Sequence, residues 1–386
     1  MTSPMYERIF AALRDQILNG HFAVGDRVPS EKELADEYKV SRITSKKALE
    51  MLSVDKLIVR KPGRGSFVAD PGERTGAPAD DSGSVPRRGA KSGNKPLIGL
   101  LITDFSESYG TGLVHGMEEA SRKHDSYLIV RRTFGNPSYE EETIKGLLEM
   151  GVDGLIIMPA QGEFFNAEIL KLVIGKFPFV LVDRHLKGIS AGSICTDNAA
   201  GAKQGIEYLF ELGHRHIGLL TPPPVDTTAV EERIEGFVQA HAEKGIAVDR
   251  ELWLDDILST LPSAFTDENR VKDILKIKEH LRKNPHITAL FAMEYNIALL
   301  ARDAARQLGL SVPGDLSIIC FDCPAVNGQF SFTHLQQQQE EIGRIAFEHI
   351  LMLRDEQRTP NRTTLEAILI EGESTAIARS TKLAKI

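Results

Sequence analysis

The side chains best placed to do chemistry in this 386-residue chain are cations set at helix and turn spacing near its beginning. Arg42 and Lys46 stand four residues apart, so on a helix they share a face. Lys61-Pro62-Gly63-Arg64-Gly65 then separates two apolar runs, Leu57-Ile58-Val59 and Ser66-Phe67-Val68, the pattern of a hairpin closed by a basic turn. Between positions 39 and 64 there are eight basic residues and two acidic ones. Cations arranged in this way suit the phosphates of a nucleic acid. Other reactive groups point to nothing coherent. Cys320-x-x-Cys323 has no second pair, and Cys320 lies in an apolar run, which reads as packing rather than metal or redox chemistry. His214 and His216 read as surface hydrogen-bonding groups. Gly110-Thr111-Gly112 is too short for a phosphate loop. No nucleophile–base set stands out, so the sequence predicts no enzyme, no cofactor and no metal.

The elements that must carry the cations are legible. Residues 5–19 repeat Ile9, Leu13 and Ile17 at helical spacing, with Asn19-Gly20 as a stop. Ser30 and Glu33 make a capping box before Leu34, Ala35 and Tyr38. Val40-Ser41 is a turn, with Ser41 placed to cap a second helix that buries Ala48, Leu49 and Leu52. Helix, turn, helix and basic hairpin together predict a winged reader of DNA over residues 1–70. The net charge of −8 does not exclude this. Residues 1–70 carry 12 basic and 10 acidic side chains, and the excess of acid lies beyond residue 96.

Residues 71–95, rich in Gly, Pro, Ser and Asp with almost no large apolar side chain, read as a flexible linker. From 96 to 386 apolar runs alternate with helical stretches. Leu97–Ile102, Tyr127–Val130, Gly154–Met158 and Phe179–Asp183 read as strands, and the pattern restarts at Ile217. That predicts an α/β region of two similar lobes in series, each a parallel sheet covered on both faces, with ligands held at the strand C-termini between them. There is no apolar run of about 20 residues for a membrane span. Met1–Tyr6 lacks a signal core, and three cysteines fit a reducing compartment, so a cytoplasmic protein is expected.

Three ordered segments resemble the GntR family of bacterial regulators: Gly25-Asp26-Arg27-Val28-Pro29-Ser30-Glu31-Lys32-Glu33-Leu34-Ala35, Val40–Leu49, and Pro62–Val68. The resemblance implies that Lys32, Arg42, Thr44, Lys46 and the wing residues Gly63, Arg64 and Gly65 touch DNA, with Ser41 beside them at the start of the reading helix. Two positions depart from the family. Ser45 stands where an apolar residue is usual, implying looser packing. Lys46 stands where Arg is frequent, which keeps the charge but loses the planar fork that grips guanine.

The remaining 290 or so residues resemble the sensor of the LacI/GalR regulators, akin to periplasmic sugar-binding proteins. The segments that carry this include Gly151–Ile156, Val180–Arg184, Thr196–Ala202, Leu212–Ile217, Glu232–Phe237 and Val312–Ile318. A GntR-type reader on such a sensor is the build of arabinose-repressor-like proteins. It implies a repressor of carbohydrate-utilisation genes that binds operator DNA as a homodimer and is released by a small sugar, arabinose or similar. A sugar phosphate or nucleoside is the alternative ligand, and an α/β enzyme the alternative class. Arg233 aligns with the family's ligand-gripping arginine. Asp183 and Arg184, at a strand end where the chain is expected to cross between lobes, and Asp322 after a later strand, complete one side of the site. Ser106 and Tyr109, in the loop after the first strand, are expected on the opposite wall. Glu294-Tyr295 replaces the family's usual Asn-Asp pair, with Glu294 supplying the carboxylate or Tyr295 stacking on the ligand.

Overall fold

In the computed structural model the chain forms two compact units, Met1–Ser84 and Val85–Ile386. The structure describes residues 5–18, 21–54, 57–61, 65–69, 95–106, 108–160, 166–186, 188–189, 191–223, 227–262, 264–324 and 330–379. The expected linker therefore lies outside the described residues except for Lys95, and so do Gly63 and Arg64.

The first unit contains α1 (Met5–Leu18), α2 (Glu31–Tyr38), α3 (Arg42–Val54), β1 (Ile58–Lys61) and β2 (Gly65–Val68). The capping box at α2 forms in full. The Ser30 hydroxyl accepts from Glu33 N, and the Glu33 carboxylate accepts from Ser30 N at 2.6 Å. Ile9, Leu13, Leu34, Ala48, Leu49, Leu52 and Ile58 make the core. β1 and β2 pair antiparallel, with Lys61 opposite Gly65. Gly65 has φ +108°, a conformation an L side chain rarely adopts, so the hairpin itself requires glycine there.

The second unit begins with β3 (Leu97–Ile102), α4 (Thr111–Lys123), β4 (Tyr127–Arg132), α5 (Pro137–Met150), β5 (Gly154–Ile157), α6 (Ala167–Ile174), β6 (Phe179–Val182) and β7 (Gly192–Thr196). It continues with α7 (Asn198–Glu211), β8 (Ile217–Leu220), α8 (Thr228–Glu243), β9 (Trp253–Leu254), α9 (Asp267–Lys283), β10 (Ala289–Ala292), α10 (Tyr295–Gln307), β11 (Ser317–Phe321) and β12 (Thr333–Gln336). α11 (Gln339–Arg354), β13 (Arg362–Leu365) and β14 (Ile368–Ile370) complete it. The strands build two six-stranded sheets, in the orders β13-β7-β6-β5-β3-β4 and β14-β12-β11-β10-β8-β9. All pairs are parallel except β14, which runs antiparallel to β12.

Two expectations need correcting. The lobes are not simply in series. After β12 the chain returns to the first lobe, where α11 buries Ile342, Ala346, Phe347 and Ile350 against β5 and β6 and packs on α4, and β13 joins β7. The chain then crosses again to add β14 to the second sheet. The crossings fall at Asp197, at Gln337-Gln338 and at Glu366-Ala367, not at Asp183-Arg184. Asp183, with φ +70°, only turns the chain out of β6 into the loop that leads to β7 of the same sheet. β7 escaped notice because Ser193 and Thr196, both buried, interrupt its apolar character.

Between α4 and α11 the backbones touch. A Cβ on Gly116 would lie 2.0 Å from Glu340 O, and one on Gly343 would lie 2.3 Å from Leu113 O. Among the described residues no helix is long and apolar enough to cross a membrane.

Candidate functional site

On α3 the buried and exposed faces divide as helical spacing predicts. Ser45, Ala48, Leu49 and Leu52 point inward, and Arg42 and Lys46 point out. Ser45 is fully enclosed, with its hydroxyl directed 3.5 Å from Ser41 O, so the small polar residue is accommodated by bonding back into its own helix. Lys47 does not join the outward basic face. It lies buried with its ammonium 3.4 Å from the centre of the Tyr6 ring. Ser41 caps α3, accepting from Thr44 N at 3.2 Å and meeting the Thr44 hydroxyl at 2.9 Å. Lys46 approaches Glu50 at 3.8 Å on the same face. Lys32 is exposed on α2. The outward groups thus form a surface of Lys32, Arg42 and Lys46, with the hydroxyl pair of Ser41 and Thr44 at the helix start.

In the second unit a cavity of about 320 Å³ opens where the two sheets present their strand ends to each other. Seven of the eight expected ligand residues line it: Tyr109, Asp183, Arg184, Arg233, Glu294, Tyr295 and Asp322. Ser106 does not. It is exposed, hydrogen-bonded to Ser108, and Ser108 lines the cavity instead. Ser106 N donates to Tyr109 O at 2.8 Å, which holds the start of the loop against its end.

Arg233 anchors the site from α8. Its Nε donates to Asn198 Oδ1 at 2.8 Å, its Nη1 to Met293 O at 2.6 Å, and its guanidinium lies 3.7 Å from the centre of the Phe321 ring. Nε and Nη1 are thereby held by protein, leaving the Nη2 hydrogens for a guest. Asp183 receives the Tyr109 hydroxyl at 2.5 Å and is bridged by Arg184 at 2.9 Å. Burial, with Asp183 alongside, drives the Tyr109 phenol well above its ordinary range, so it stays a donor. Asp322, after β11, is pushed up to about 6 by burial, against the pull of Gln337, Arg233 and Gln339. Burial also raises the Glu294 carboxyl, with Arg233 and Arg184 opposing it. Asp183 and Asp322 occupy corresponding places at the ends of β6 and β11, and both have positive φ, +70° and +55°. The turn aims each carboxylate back across its sheet edge.

Sequence reasoning missed the groups that hold these side chains. Asn198 fixes Arg233, and Gln337 and Gln339 fix Asp322. It also missed the Thr260–Pro262 segment, which lines the cavity and approaches Gly135 of the other lobe. Thr227, buried at the cavity edge, has no partner for its hydroxyl among the described residues. His214 was expected at the surface. It is buried, bonded to the Thr288 hydroxyl at 2.9 Å and to Ala376 O at 3.0 Å, and is a structural tie.

A reader with an outward cationic helix, on a chain whose other unit encloses a polar cavity between two α/β lobes, is the architecture of a ligand-responsive transcription regulator. Comparison with known proteins agrees. Residues 5–68 match the bacterial regulatory proteins, gntR family, and residues 206–375 match the periplasmic binding protein-like domain. An arabinose metabolism transcriptional repressor of Halalkalibacterium halodurans is 25% identical over 98% of this chain and 97% of its own. The transcription regulator CcpA of Lactococcus lactis has the same fold over 73% of this chain and all of its own, with TM-score 0.63 and 19% identity. A LacI family regulator from Enterococcus faecium with bound ribose covers 73% of this chain and all of its own, with TM-score 0.60 and 22% identity. The chain is a DNA-binding transcription regulator, a GntR-type helix-turn-helix joined to a periplasmic-binding-protein-like α/β unit, and not an enzyme.

Proposed function

We propose that this regulator represses carbohydrate-utilisation genes and that a small neutral sugar, arabinose or a similar pentose, enters the interlobe cavity and weakens operator binding. One observation carries the choice of ligand. The cavity offers a guanidinium with Nε and Nη1 held by protein and its face laid on an aromatic ring, flanked by carboxyl groups from both lobes. Vicinal hydroxyls match that set, since each can donate to a carboxylate and accept from the fork. The repressor from Halalkalibacterium halodurans and the ribose-bound regulator support the reading. A phosphorylated ligand fits less well. Arg184 is bridged to Asp183, and Arg233 is already balanced by nearby Asp322 and Asp183, so a dianion would face carboxylates without a cation to spare among the described lining residues.

In this reading residues 1–70 read DNA through Lys32, Ser41, Arg42, Thr44, Lys46, Gly63, Arg64 and Gly65. Residues 71–95 tether the reader to the sensor over 96–386, and the active form is a cytoplasmic homodimer on a two-fold operator. Thermal-shift and calorimetric titration of the full chain against L-arabinose, D-ribose, D-xylose and their phosphates tests the ligand. A gel-shift on the chain's own promoter tests the release. Tighter binding of a phosphate than of its parent sugar, or a complex indifferent to every binding sugar, would sink the proposal.

A further inference from the structure

The short run Gln336-Gln337-Gln338-Gln339 lies where the chain passes from β12 to α11, the second of the crossings between lobes. Its amides bond protein partners, and Gln337 is buried. The Gln337 side chain donates to Asp322 Oδ2 at 2.6 Å, and its backbone N–H to Oδ1 at 3.2 Å. Gln336 and Gln339 reach the same Oδ1 from either side, at 3.3 and 3.4 Å. The other ends of these amides reach the remaining crossings. Gln337 Oε1 accepts from the Thr196 hydroxyl at 2.7 Å, one residue before the first crossing. Gln338 Nε2 donates to Glu366 O at 2.9 Å, in the third. Gln339 accepts from Gly110 N at 2.9 Å and donates to Ser108 O at 3.1 Å, in the loop that carries Tyr109. One run of amides therefore ties a cavity carboxylate of one lobe to every crossing and to the opposite wall.

We propose that Gln337 and Gln339 are positioning residues of the effector site, keeping Asp322 an ionised, aimed hydrogen-bond acceptor for the ligand and linking that aim to the relative setting of the lobes. The proposal rests on the sugar-binding reading of the cavity. The groups around Asp322 fit it. Arg233 on α8 favours the ionised form, whereas burial disfavours it. Tyr109 from the facing loop stays protonated, and Cys320 and Cys323 on the same segment are held as thiols by burial. Glu294 and Asp183 face Asp322 across Arg233, and His334 touches the cluster through Gln336. With Asp322 at about 6, the donated amides decide whether the carboxylate is charged near neutral pH.

The test is calorimetry of the full chain with L-arabinose, D-ribose and D-xylose from pH 5 to pH 9, for the wild type, Gln337→Met and Gln339→Met. Wild-type affinity should rise through the Asp322 midpoint. Gln337→Met should move that midpoint up by about one unit, a loss of affinity of about fivefold at pH 6, approaching tenfold at pH 5, that largely recovers at pH 9. Gln339→Met should shift it the same way by less. A loss equal at every pH, with the midpoint unmoved, would mean a merely structural role and overturn the proposal, as would no loss. If Gln337→Met does not fold, Gln339→Met decides alone. Should the wild type bind none of the sugars, the sugar reading fails. The Asp322 midpoint, read by carbon-13 NMR of the carboxyl against Asp322→Asn, would still rise in the two variants or refute the positioning role.

Discussion

Arg233 shows how much of the site one residue organises. Its Nε and Nη1 are held by Asn198 and Met293 O, and its face is held by Phe321, so the aim of Nη2 is fixed before any ligand arrives. Arg233→Ala is expected to lower sugar affinity about 100-fold, as loss of a buried charged hydrogen-bond partner implies, while operator affinity stays near wild type. Parallel calorimetry and gel-shift check both halves. Asp322 carries a pH signature of its own. Its folded value of about 6 lies above the unfolded one near 3.8, so the folded state keeps the proton longer. Its contribution to stability is greatest below pH 4 and is lost as pH rises through about 6, by an amount on the order of 3 kcal/mol. Asp322→Asn should flatten that slope, which urea unfolding at pH 4.5 and pH 7 would reveal. On the reader, removing the Arg42 or Lys46 charge should each reduce the salt dependence of operator binding by about one unit of slope. An unchanged slope would place that side chain off the phosphates. Arg233 and Asp322 were legible in the sequence because each sits in a motif. Asn198 and the glutamines were not, because a second ring of hydrogen bonds leaves no mark in spacing.

At the scale of elements, the reader was legible nearly whole. A capping box, a reading helix and a hairpin are local devices, each written within a dozen residues. The strands with unbroken apolar runs, such as β3, β6 and β11, were legible for the same reason. What escaped was the pairing of elements far apart in sequence. The α4–α11 seam joins helices whose own patterns say nothing of each other, and only the bare backbone of Gly116 and Gly343 shows how close they lie. Gly116→Ala should unseat that seam and cost several kcal/mol, since backbone rather than a flexible side chain stands in the way. Gly146 on α5 is the contrast. Nothing lies within 4 Å of its would-be Cβ, so Gly146→Ala should stabilise by about 0.5–1 kcal/mol. Thermal unfolding of the pair checks both signs, and equal effects would discredit the seam.

At the scale of the molecule, the C-terminal segment belongs to both lobes. β13 completes the first sheet and β14 the second, and beyond them Ser374 bonds Ile318 O while Ala378 N bonds Leu212 O. The two lobes were expected one after the other because strand–helix alternation looks the same whether or not a chain later doubles back. The interleaving sets an order on synthesis. The reader can close its core once about seventy residues have left the ribosome, whereas neither sheet of the sensor has its last strand until some three hundred more have followed. At ordinary elongation rates that is a delay on the order of tens of seconds. During it each nascent chain carries a finished DNA reader that answers to no ligand.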